Sequence, residues 1–423
     1  MDASNREDYS WLLSEAAIPL LRQAADVFRT KGNMVRLAQS LRKEISRSRA
    51  AIVLEQAQLR IRAKSKFPNA DAMFFTKRGL EQATGRGIAL YKAARFAGCE
   101  NVADICCGVG GDLLALHDRS DSATCVTTGV DADELTALFA GHNLKVGCAN
   151  QTGRGGVLFQ KFESMSIDGL DGLHADPDRR GSKSNFQRTV HGSRFEPSLD
   201  ELLHASSNIK LVAIKVAPAT PVSDAWPEQI EREWIGDRHE CKQQLIWQGE
   251  RAERIGYRIA TCVDNVGGSA SFSISEARMN MKLPAASSVG DYIHEPHPTV
   301  LAAEISRPFG QQLDLRPLAN DVAYLTGGIA SHPLLQSFQV IEILPVNLKK
   351  VAAALKAMDV GILEVKRRGV EQAAGDPFLK LKLSGSQRAT VILTRFDGKR
   401  VAIIARRVSS YANKTDGSGN RLA

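Results

Sequence analysis

The chain has 423 residues, of which 43% are apolar and 24% are charged, a composition typical of globular proteins of two or three domains. Its net charge is +8, no apolar run approaches the roughly 18 residues of a membrane span, and residues 1–8 are unlike a signal peptide. Seven cysteines without C-x-x-C spacing favour a reducing compartment. We therefore expect a cytoplasmic protein without a membrane partner.

The charge is unevenly distributed. Residues 1–95 contain 18 Lys and Arg against 9 Asp and Glu, and residues 346–411 contain 14 against 5, whereas residues 96–345 contain 21 against 32. Two basic flanks around an acidic middle indicate that the flanks contact a polyanion. The alternative is that these cations only solvate helix faces.

Residues 1–95 are predicted to be a helical region. Apolar side chains recur at helical spacing from Trp11 to Ala24, again from Met34 to Ile45, and a third helix spans about 50–66. Residues 60–67 bring four positive charges into the end of this third helix. They form either a phosphate-binding face or a solvated helix end with favourable dipole charges.

Residues 96–283 are predicted to form one domain. Within it residues 98–220 alternate strands with helices, which predicts a parallel, doubly wound sheet. The first five strands are expected at 102–106, 126–131, 157–160, 171–175 and 209–216. Three more are expected at 231–236, 244–248 and 257–263, with 270–282 closing this region.

A glycine loop follows the first strand. Residues 102–112 are an apolar run that ends in Gly108-x-Gly110 and leads into a helix; such a turn exposes backbone N–H groups to a nucleotide-type ligand. The dinucleotide fingerprint is not met, because Cys106 replaces its first glycine. Cys106 and Cys107 point to opposite faces of a strand, so we expect no metal site.

Acidic residues end two later strands. Asp131 closes the second strand, where a carboxylate would hold a ribose diol. Asp176-Pro177 follows the fourth strand, and a polar loop at 182–196 is a candidate substrate contact. Lys215 interrupts the apolar fifth strand, as either a snorkelling lysine or a site residue.

The remaining chain divides into three parts. Residues 284–337 contain six prolines and are predicted to be an irregular connector with short helices. Residues 338–411 are predicted to be a small α+β unit, with a helix at 347–358 and strands at 340–344, 362–366, 378–383, 391–396 and 401–407. Residues 412–423 are predicted to be a disordered tail.

Several of these segments together resemble a known family. The order of Asp104, Gly108, Gly110, Asp131 and Asp176 resembles class I methyltransferases that use S-adenosylmethionine. Residues 74–84, residues 176–180 and the basic C-terminal segment narrow this to bacterial methyltransferases with a THUMP-like C-terminal domain. Residues 75–112 are also distantly similar to trimethylguanosine synthase. The resemblance implies an α/β fold: a Rossmann-like methyltransferase domain, an N-terminal helical region and a small α+β, THUMP-like domain.

The resemblance also implies roles for individual residues. Asp104 would hold the ammonium group of S-adenosylmethionine, Gly108 and Gly110 would lie against its methionine part, and Asp131 would hold the ribose. The other residues implied in cofactor binding are Thr76, Gln82, Cys106, Asp112 and Ala132. Thr76 and Gln82, with Thr84, could close over the cofactor or cap a helix. The acid that usually orients adenine is missing after the third strand, where Lys161-Phe162-Glu163 stands instead.

Residues 176–180 occupy the place where amino-group methyltransferases carry Asn/Asp-Pro-Pro-aromatic. By this resemblance Asp176, Pro177 and Arg179 are catalytic, with Arg179 in the place of the aromatic residue. The planes of Arg179 and Arg180 could stack on a base or clamp a phosphate, or form salt bridges with the acidic core. The candidate substrate-binding residues are Arg180, Lys215, Lys366, Arg367 and Arg368.

The sequence therefore predicts an S-adenosylmethionine-dependent methyltransferase that acts on RNA and docks it through the C-terminal unit. One alternative is a methyltransferase for a protein or a small molecule, and another is a non-catalytic RNA-binding protein. The C-terminal unit could also be a structural lid or an oligomer interface; the sequence carries no signal for an oligomeric state.

Overall fold

The structure is a computed structural model that describes residues 3–119, 124–148, 154–178, 191, 195–221, 226–279, 281–371 and 377–408. It divides into two compact units. Unit 1 comprises Met1–Arg232, Gln243–Ile255 and Val263–Ser269, and unit 2 comprises Glu233–Lys242, Gly256–Cys262 and Ala270–Ala423. Within the described ranges, no helix combines the length and apolarity needed to cross a membrane.

Twelve α-helices lie in the described residues. Their bounds are α1 Ala3–Leu12, α2 Ile18–Arg29, α3 Met34–Glu44, α4 Arg47–Ala63, α5 Lys77–Gln82, α6 Arg86–Arg95, α7 Leu113–His117, α8 Glu134–Gly147, α9 Leu199–Ala205, α10 Pro298–Ala302, α11 Ser306–Gln312 and α12 Leu348–Ala357.

Sixteen β-strands lie in the same residues. Their bounds are β1 Asn101–Ile105, β2 Val126–Asp131, β3 Arg154–Phe159, β4 Gly172–Ala175, β5 Leu211–Val216, β6 Glu231–Gly236, β7 Cys241–Gln248, β8 Tyr257–Val263, β9 Ser269–Ser275, β10 Tyr292–Pro296, β11 Arg316–Ala319, β12 Val322–Gly327, β13 Leu335–Pro345, β14 Val360–Arg367, β15 Gln387–Phe396 and β16 Lys399–Arg407.

The N-terminal region is helical, as predicted. Asn33 caps α3 by accepting a hydrogen bond from the Arg36 backbone, and Ser46 caps α4 in the same way. The apolar stripes of α1 to α4 bury side chains such as Leu21, Leu41 and Val53 against one another. This burial follows from the three-to-four spacing of their apolar residues.

The basic end of α4 is used inside the protein. Arg60 is buried and donates to the Met73 carbonyl at 2.8 Å, and burial lowers its pKa to about 10. Lys66 donates to the carbonyls of Leu80 and Ala83 at 2.8 and 2.7 Å, where its charge meets the C-terminal end of α5.

The two other cations of this tract also have partners within the chain. Arg62 lies 3.7 Å from Glu81, and Lys64 lies 2.9 Å from Asp71. All four cations therefore have intramolecular partners, which argues against a phosphate-binding face, although Arg60 is buried and not part of a solvated helix end.

Unit 1 contains the predicted doubly wound sheet. Its strands run in the order β3–β2–β1–β4–β5, and all neighbouring pairs among them are parallel. Residues 244–248 of β7 pair antiparallel with β5. The strand order reverses at β1 and β4, so the crevice between their carboxyl ends is the expected ligand site of an open α/β sheet.

Unit 2 overturns the expectation of an irregular connector over 284–337. This stretch contains the two short helices α10 and α11, but also the strands β10, β11 and β12 and the beginning of β13. Its prolines occupy positions that regular structure accepts: Pro298 begins α10, and Pro317 lies on β11, an edge strand.

Strands β10 to β16 form a seven-stranded sheet in the order β11–β12–β10–β13–β16–β15–β14. Its side chains alternate between two cores: Val391 and Ile404 face α12, whereas Ile392 and Ile403 pack with Phe338. The α+β character of residues 338–411 is therefore as predicted.

The predicted strand at 378–383 is wrong. Residues 377–380 form a turn in which the Lys380 N–H donates to the Pro377 carbonyl, and residues 381–383 pair with none of the described strands. Of the three alternating leucines, Leu381 and Leu383 pack against the core, together with Phe378, whereas Leu379 is exposed. Alternation of apolar and polar residues therefore does not establish a hydrogen-bonded strand by itself.

Candidate active site

The carboxyl ends of β1, β2, β4 and β5 meet at one edge of the unit 1 sheet. Ile105 at the end of β1 is in register with Val130 of β2 and Ala175 of β4, and Ala175 is in register with Ile214 of β5. The next residues along these strands are Cys106, Asp131, Asp176 and Lys215. The sheet therefore collects four of the predicted site residues at one edge.

The glycine loop turns sharply from β1 towards α7. Cys106, Gly108 and Gly110 all have positive φ angles, of 56°, 58° and 97°, and glycine adopts such angles without strain. A Cβ at Gly108 would meet no atom within 4 Å. Because burial raises the pKa of the Cys106 thiol well above its usual value, this side chain is a neutral part of the loop rather than a nucleophile.

The segment before α6 lies against the glycine loop. A Cβ at Gly111 would come within 2.9 Å of the Thr84 backbone nitrogen, so the two backbones approach too closely for a side chain between them. The buried amide of Asn143 bonds both backbone groups of Phe74 at 2.8 Å and the Val109 carbonyl at 2.9 Å. One side chain of α8 therefore fastens this segment to the loop.

Asp131 is oriented by two backbone donors. Its Oδ2 accepts from the Gly108 N–H and its Oδ1 from the Asp133 N–H, both at 2.9 Å. Burial raises the pKa of this carboxyl, although the two N–H groups oppose that effect. The glycine loop and the end of β2 are thereby linked through one partly buried carboxylate.

Asp104 lies beneath the loop and is 1% exposed. Its Oδ1 is 2.7 Å from Nδ1 of His174 on β4, and among the described residues its Oδ2 has no hydrogen-bond partner. Burial raises its pKa, while His174 opposes that shift. The sequence did not indicate that His174 takes one of its two oxygens.

A buried ion pair extends from His174. Lys92 of α6 lies 3.0 Å from His174 Nε2 and 2.7 Å from Asp112 Oδ1. Burial lowers the pKa of Lys92, and Asp112 opposes that shift. Burial would raise the pKa of Asp112, but the positive charges of Lys92 and Lys215 hold it below its usual range.

Because Lys92 can only donate, Nε2 of His174 must accept and Nδ1 must carry the proton that bonds Asp104. Asp112 also accepts a hydrogen bond of 2.7 Å from the hydroxyl of Thr84. Asp112 is therefore a buried structural carboxylate, 7% exposed, beside the loop.

Asp176 and Lys215 form an ion pair at the sheet edge. Lys215 Nζ lies 2.6 Å from Asp176 Oδ2, and the two side chains are 12% and 26% exposed. The same Nζ lies 3.4 Å from the hydroxyl of Thr84. Of the two interpretations of Lys215, this geometry favours a site residue.

Beyond Asp176 the chain is held by backbone pairing. Pro177 is buried, and Asp178 and Glu196 exchange both backbone hydrogen bonds at 3.0 Å. Arg78 forms an ion pair with the Asp178 carboxylate. Arg179, Arg180 and most of the polar loop lie outside the described residues.

The remaining candidates in unit 1 lie near the loop or on α5. Thr76 caps α5 by accepting from the Gly79 N–H at 2.9 Å, which fits the capping interpretation. Gln82 is the last residue of α5 and is partly buried. Ala132 directly follows Asp131 and is exposed.

The three cations predicted to bind substrate in the C-terminal region belong to unit 2. Lys366 and Arg368 both bond Glu295, at 2.6 and 3.1 Å, and Arg367 lies over the ring of Phe378. All three are partly buried. Glu295 therefore neutralises much of the charge that the sequence assigned to phosphate contact.

The site fits S-adenosylmethionine. A buried carboxylate oxygen of Asp104 lacks a partner among the described residues, Gly108 leaves open space, and the oriented carboxylate of Asp131 stands beside them. These groups match an ammonium, a backbone-apposed chain and a ribose diol. Across the described part of the chain, His, Cys, Asp and Glu nowhere gather into a metal-binding group.

Sequence reasoning missed Lys92, His174 and Asn143. Two of them had a signal: Lys92 lies on the apolar face of α6, beside Ile88, Ala89 and Ala93, and His174 lies within a strand whose four residues are all buried. A polar residue in a buried pattern requires a partner. The sequence cannot identify that partner.

Comparisons with known proteins agree with this geometry. Residues 335–407, from the start of β13 to the end of β16, match a family described as THUMP domain-like. Residues 5–63 match a domain of unknown function (DUF8688). Two uncharacterised S-adenosylmethionine-dependent methyltransferases from two strains of Mycobacterium tuberculosis are 29% identical over 356 residues, which are 82% of this chain and 93% of each relative.

A crystal structure from Porphyromonas gingivalis W83, of a protein named as a methyltransferase, superimposes with a TM-score of 0.71. It is 19% identical, and the match covers 94% of this chain and 99% of that one. The fold, the loop geometry and the relatives agree. The chain is a class I S-adenosylmethionine-dependent methyltransferase with a THUMP-like domain at its C-terminus.

Proposed function

We propose that this methyltransferase acts on RNA. The observation that carries the proposal is a basic hairpin tip in the THUMP-like domain, defined by Arg395, Lys399 and Arg400. Arg395 of β15 stands directly opposite Arg400 of β16, and like charges in opposed positions destabilise a sheet. None of the three forms an ion pair with a described carboxylate, and Lys399 and Arg400 are exposed.

A polyanion would relieve that repulsion. Each exposed cation that meets a phosphate releases a counterion, so the hairpin tip gains affinity for nucleic acid without reading its sequence. The two cations bound to Glu295 offer less net charge. We therefore propose the hairpin tip, with Arg367 beside it on the neighbouring strand, as the docking surface; phosphate contact by Lys366 and Arg368 stays a prediction.

We propose that the cofactor lies along the carboxyl ends of β1 and β2. In this arrangement Asp104 faces the ammonium group, the Gly108–Gly110 backbone lies along the methionine part, and Asp131 accepts from the ribose hydroxyls. The bound cofactor supplies a methyl group on a positively charged sulfur. Cys106 and Ala132 border this path, and Thr76, Gln82 and Asp112 support it from α5 and α7.

We propose that Asp176 meets the acceptor. Methyl transfer is an in-line displacement, so the protein has to orient the acceptor more than to activate it. A carboxylate paired with Lys215 accepts hydrogen bonds but does not donate them. The acceptor is therefore a group that carries hydrogen, such as the exocyclic amine of a base, and Arg179 or Arg180 would stack on that base or bind its phosphate.

A cytoplasmic location belongs to the same proposal. All seven cysteines are free thiols, as is usual where the environment keeps thiols reduced. Cellular RNA would then be directly accessible.

Labelled S-adenosylmethionine tests the proposal. The purified protein is incubated with methyl-labelled cofactor and three pools from a bacterial extract: RNA, protein and small molecules. We expect label in the RNA pool alone, removable by ribonuclease. Label in protein or small molecules would establish the first alternative. RNA binding without transfer to any pool would identify a non-catalytic binder.

A further inference from the structure

A continuous chain of polar contacts runs behind the sheet edge. It begins at Lys92, whose ammonium lies 2.7 Å from Asp112, and continues through the Thr84 hydroxyl, 2.7 Å from the other oxygen of that carboxylate. The hydroxyl then lies 3.4 Å from the ammonium of Lys215, and that ammonium lies 2.6 Å from Asp176. The chain therefore connects α6 in the interior to the acid that ends β4.

We propose that Lys215 is a positioning residue for methyl transfer, and that the Thr84 hydroxyl holds its ammonium in place behind Asp176. This inference rests on the proposed role of Asp176 at the acceptor. Lys215 would contact neither reactant, yet it would set the orientation of the Asp176 carboxylate.

The hydroxyl of Thr84 has one proton, which it donates in a hydrogen bond of 2.7 Å to Asp112. Its lone pairs are then directed away from Asp112, towards a donor, and the nearby donor is the ammonium of Lys215. Lys92 is not that donor, because its ammonium already contacts Asp112 and His174.

Burial makes the arrangement rigid. Lys92 is 1% exposed, and Thr84 and Asp112 are each 7% exposed, so water competes little for their hydrogen bonds. The ammonium of Lys215 has three donors on a flexible stem. Contacts to Thr84 and Asp176 use two of them and thereby fix both its position and the face of Asp176 that remains for the acceptor.

The first test changes Thr84 alone. Thr84→Val removes the hydroxyl and keeps the shape, whereas Thr84→Ser keeps the hydroxyl. We expect Thr84→Val to lower kcat for the pool that the wild type methylates by about tenfold, equivalent to about 1.4 kcal/mol, with the affinity for S-adenosylmethionine unchanged. Thr84→Ser should retain most of the rate.

A matched control separates positioning from stability. Thr127 of β2 is also a buried threonine, and its hydroxyl accepts a hydrogen bond from Arg119. Thr127→Val should lower the Tm about as much as Thr84→Val does but leave kcat unchanged. Equal losses of kcat in both variants would mean that Thr84→Val acts only by lowering stability, and would overturn the proposal.

A double-mutant cycle gives the second readout. Lys215→Met removes the ammonium, so Thr84→Val should have no further effect on kcat in that background, whereas in Lys215→Arg it should still lower kcat. If the losses multiply in Lys215→Met, Thr84 does not act through Lys215 and the proposal fails.

The third readout needs no acceptor. Acetic anhydride is allowed to react with the folded wild type and with Thr84→Val, and the acetylation rate of Lys215 is measured by mass spectrometry against exposed Lys399 as the internal standard. Loss of the hydroxyl should speed acetylation of Lys215 several-fold, and an unchanged rate would overturn the proposal. If no pool accepts label from the wild type, the proposed function fails and this readout still decides the positioning role.

Discussion

Two regions of this molecule use charge in opposite ways. Beside the glycine loop, the charged side chains of Lys92, Asp112 and Asp104 are almost completely buried, and each contacts a group of opposite charge or a histidine. At the hairpin tip of the THUMP-like domain, Arg395 and Arg400 face each other across two strands, with Lys399 beside them.

Burial explains what each arrangement can do. An unpaired charge in the interior costs several kcal/mol, so a buried cluster persists only in one geometry, which suits the alignment of reactants. An exposed cluster of one sign costs little in high dielectric and binds any polyanion, which suits docking.

Breaking the buried pair should strongly destabilise the protein. Lys92→Met leaves Asp112 buried without its cation, so we expect the free energy of unfolding to fall by about 3–5 kcal/mol. Chemical denaturation followed by circular dichroism measures it. Lys92→Met combined with Asp112→Asn should recover part of the loss. The exposed pair of Arg62 and Glu81 provides the control, because Arg62→Ala should cost less than about 1 kcal/mol.

Removing the Asp131 carboxylate should weaken cofactor binding. Asp131→Ala deletes a charge-assisted contact to the ribose, so we expect S-adenosylmethionine binding to weaken by roughly 1.5–3 kcal/mol in calorimetry. Glu134 lies three residues further on and forms an ion pair with Arg6, so Glu134→Ala is a control that should bind normally. Unchanged affinity in folded Asp131→Ala would put the ribose elsewhere.

The hairpin tip should determine the salt dependence of RNA binding. Replacing both Lys399 and Arg400 by Ala should weaken binding to a single-stranded oligonucleotide and reduce the log–log salt slope by about 1.4, or about 0.7 per contact. Exposed Lys349 and Lys350 on α12 are the charge-matched control pair. If both double variants keep the wild-type slope, the THUMP-like domain docks RNA by another surface or not at all.

The smallest effect concerns acid stability. His294 is fully buried, and burial lowers its pKa although the Gly328 carbonyl accepts from its ring. Between the lowered pKa and the usual value near 6.5 the unfolded chain binds more protons, so stability falls as the pH drops through that window.

His294→Gln should therefore lessen the loss of unfolding free energy between about pH 7 and pH 5, by at most about 1.4 kcal/mol per pH unit. His297 and His332 are partly buried, burial lowers their pKa values as well, and they should account for part of the remainder. Exposed His239 is the control: an equal lessening in His239→Gln would mean that burial of His294 is not the source.

Much of the architecture could be predicted from local patterns. The parallel strands, the glycine loop and the acids at strand ends follow from residues near one another in the sequence, and the edge that unites Asp131 with Asp176 follows from parallel topology. Proline content misled the prediction for 284–337, because a proline at a helix start or on an edge strand interrupts nothing. The strand predicted at 378–383 was wrong because apolar and polar residues alternate there without a strand to pair with.

The buried network could not be predicted in the same way. Lys92 and His174 are 82 residues apart, and Asn143 bonds Phe74 from 69 residues away. Such pairs depend on how helices and strands pack, which the spacing of neighbouring residues does not encode. For the same reason the charges of Lys366 and Arg368 were predicted to be free for phosphate, whereas Glu295, some 70 residues earlier, already balances them.

We propose that methyl transfer takes place where Asp176 meets the acceptor. The most direct measurement compares kcat and S-adenosylmethionine affinity for the wild type, Asp176→Ala and the shape-preserving Asp176→Asn, with the pool that the wild type labels. We predict that both substitutions lower kcat about a hundredfold or more while the cofactor dissociation constant hardly changes. Wild-type turnover in either folded variant would show that the Asp176 carboxylate has no part in methyl transfer.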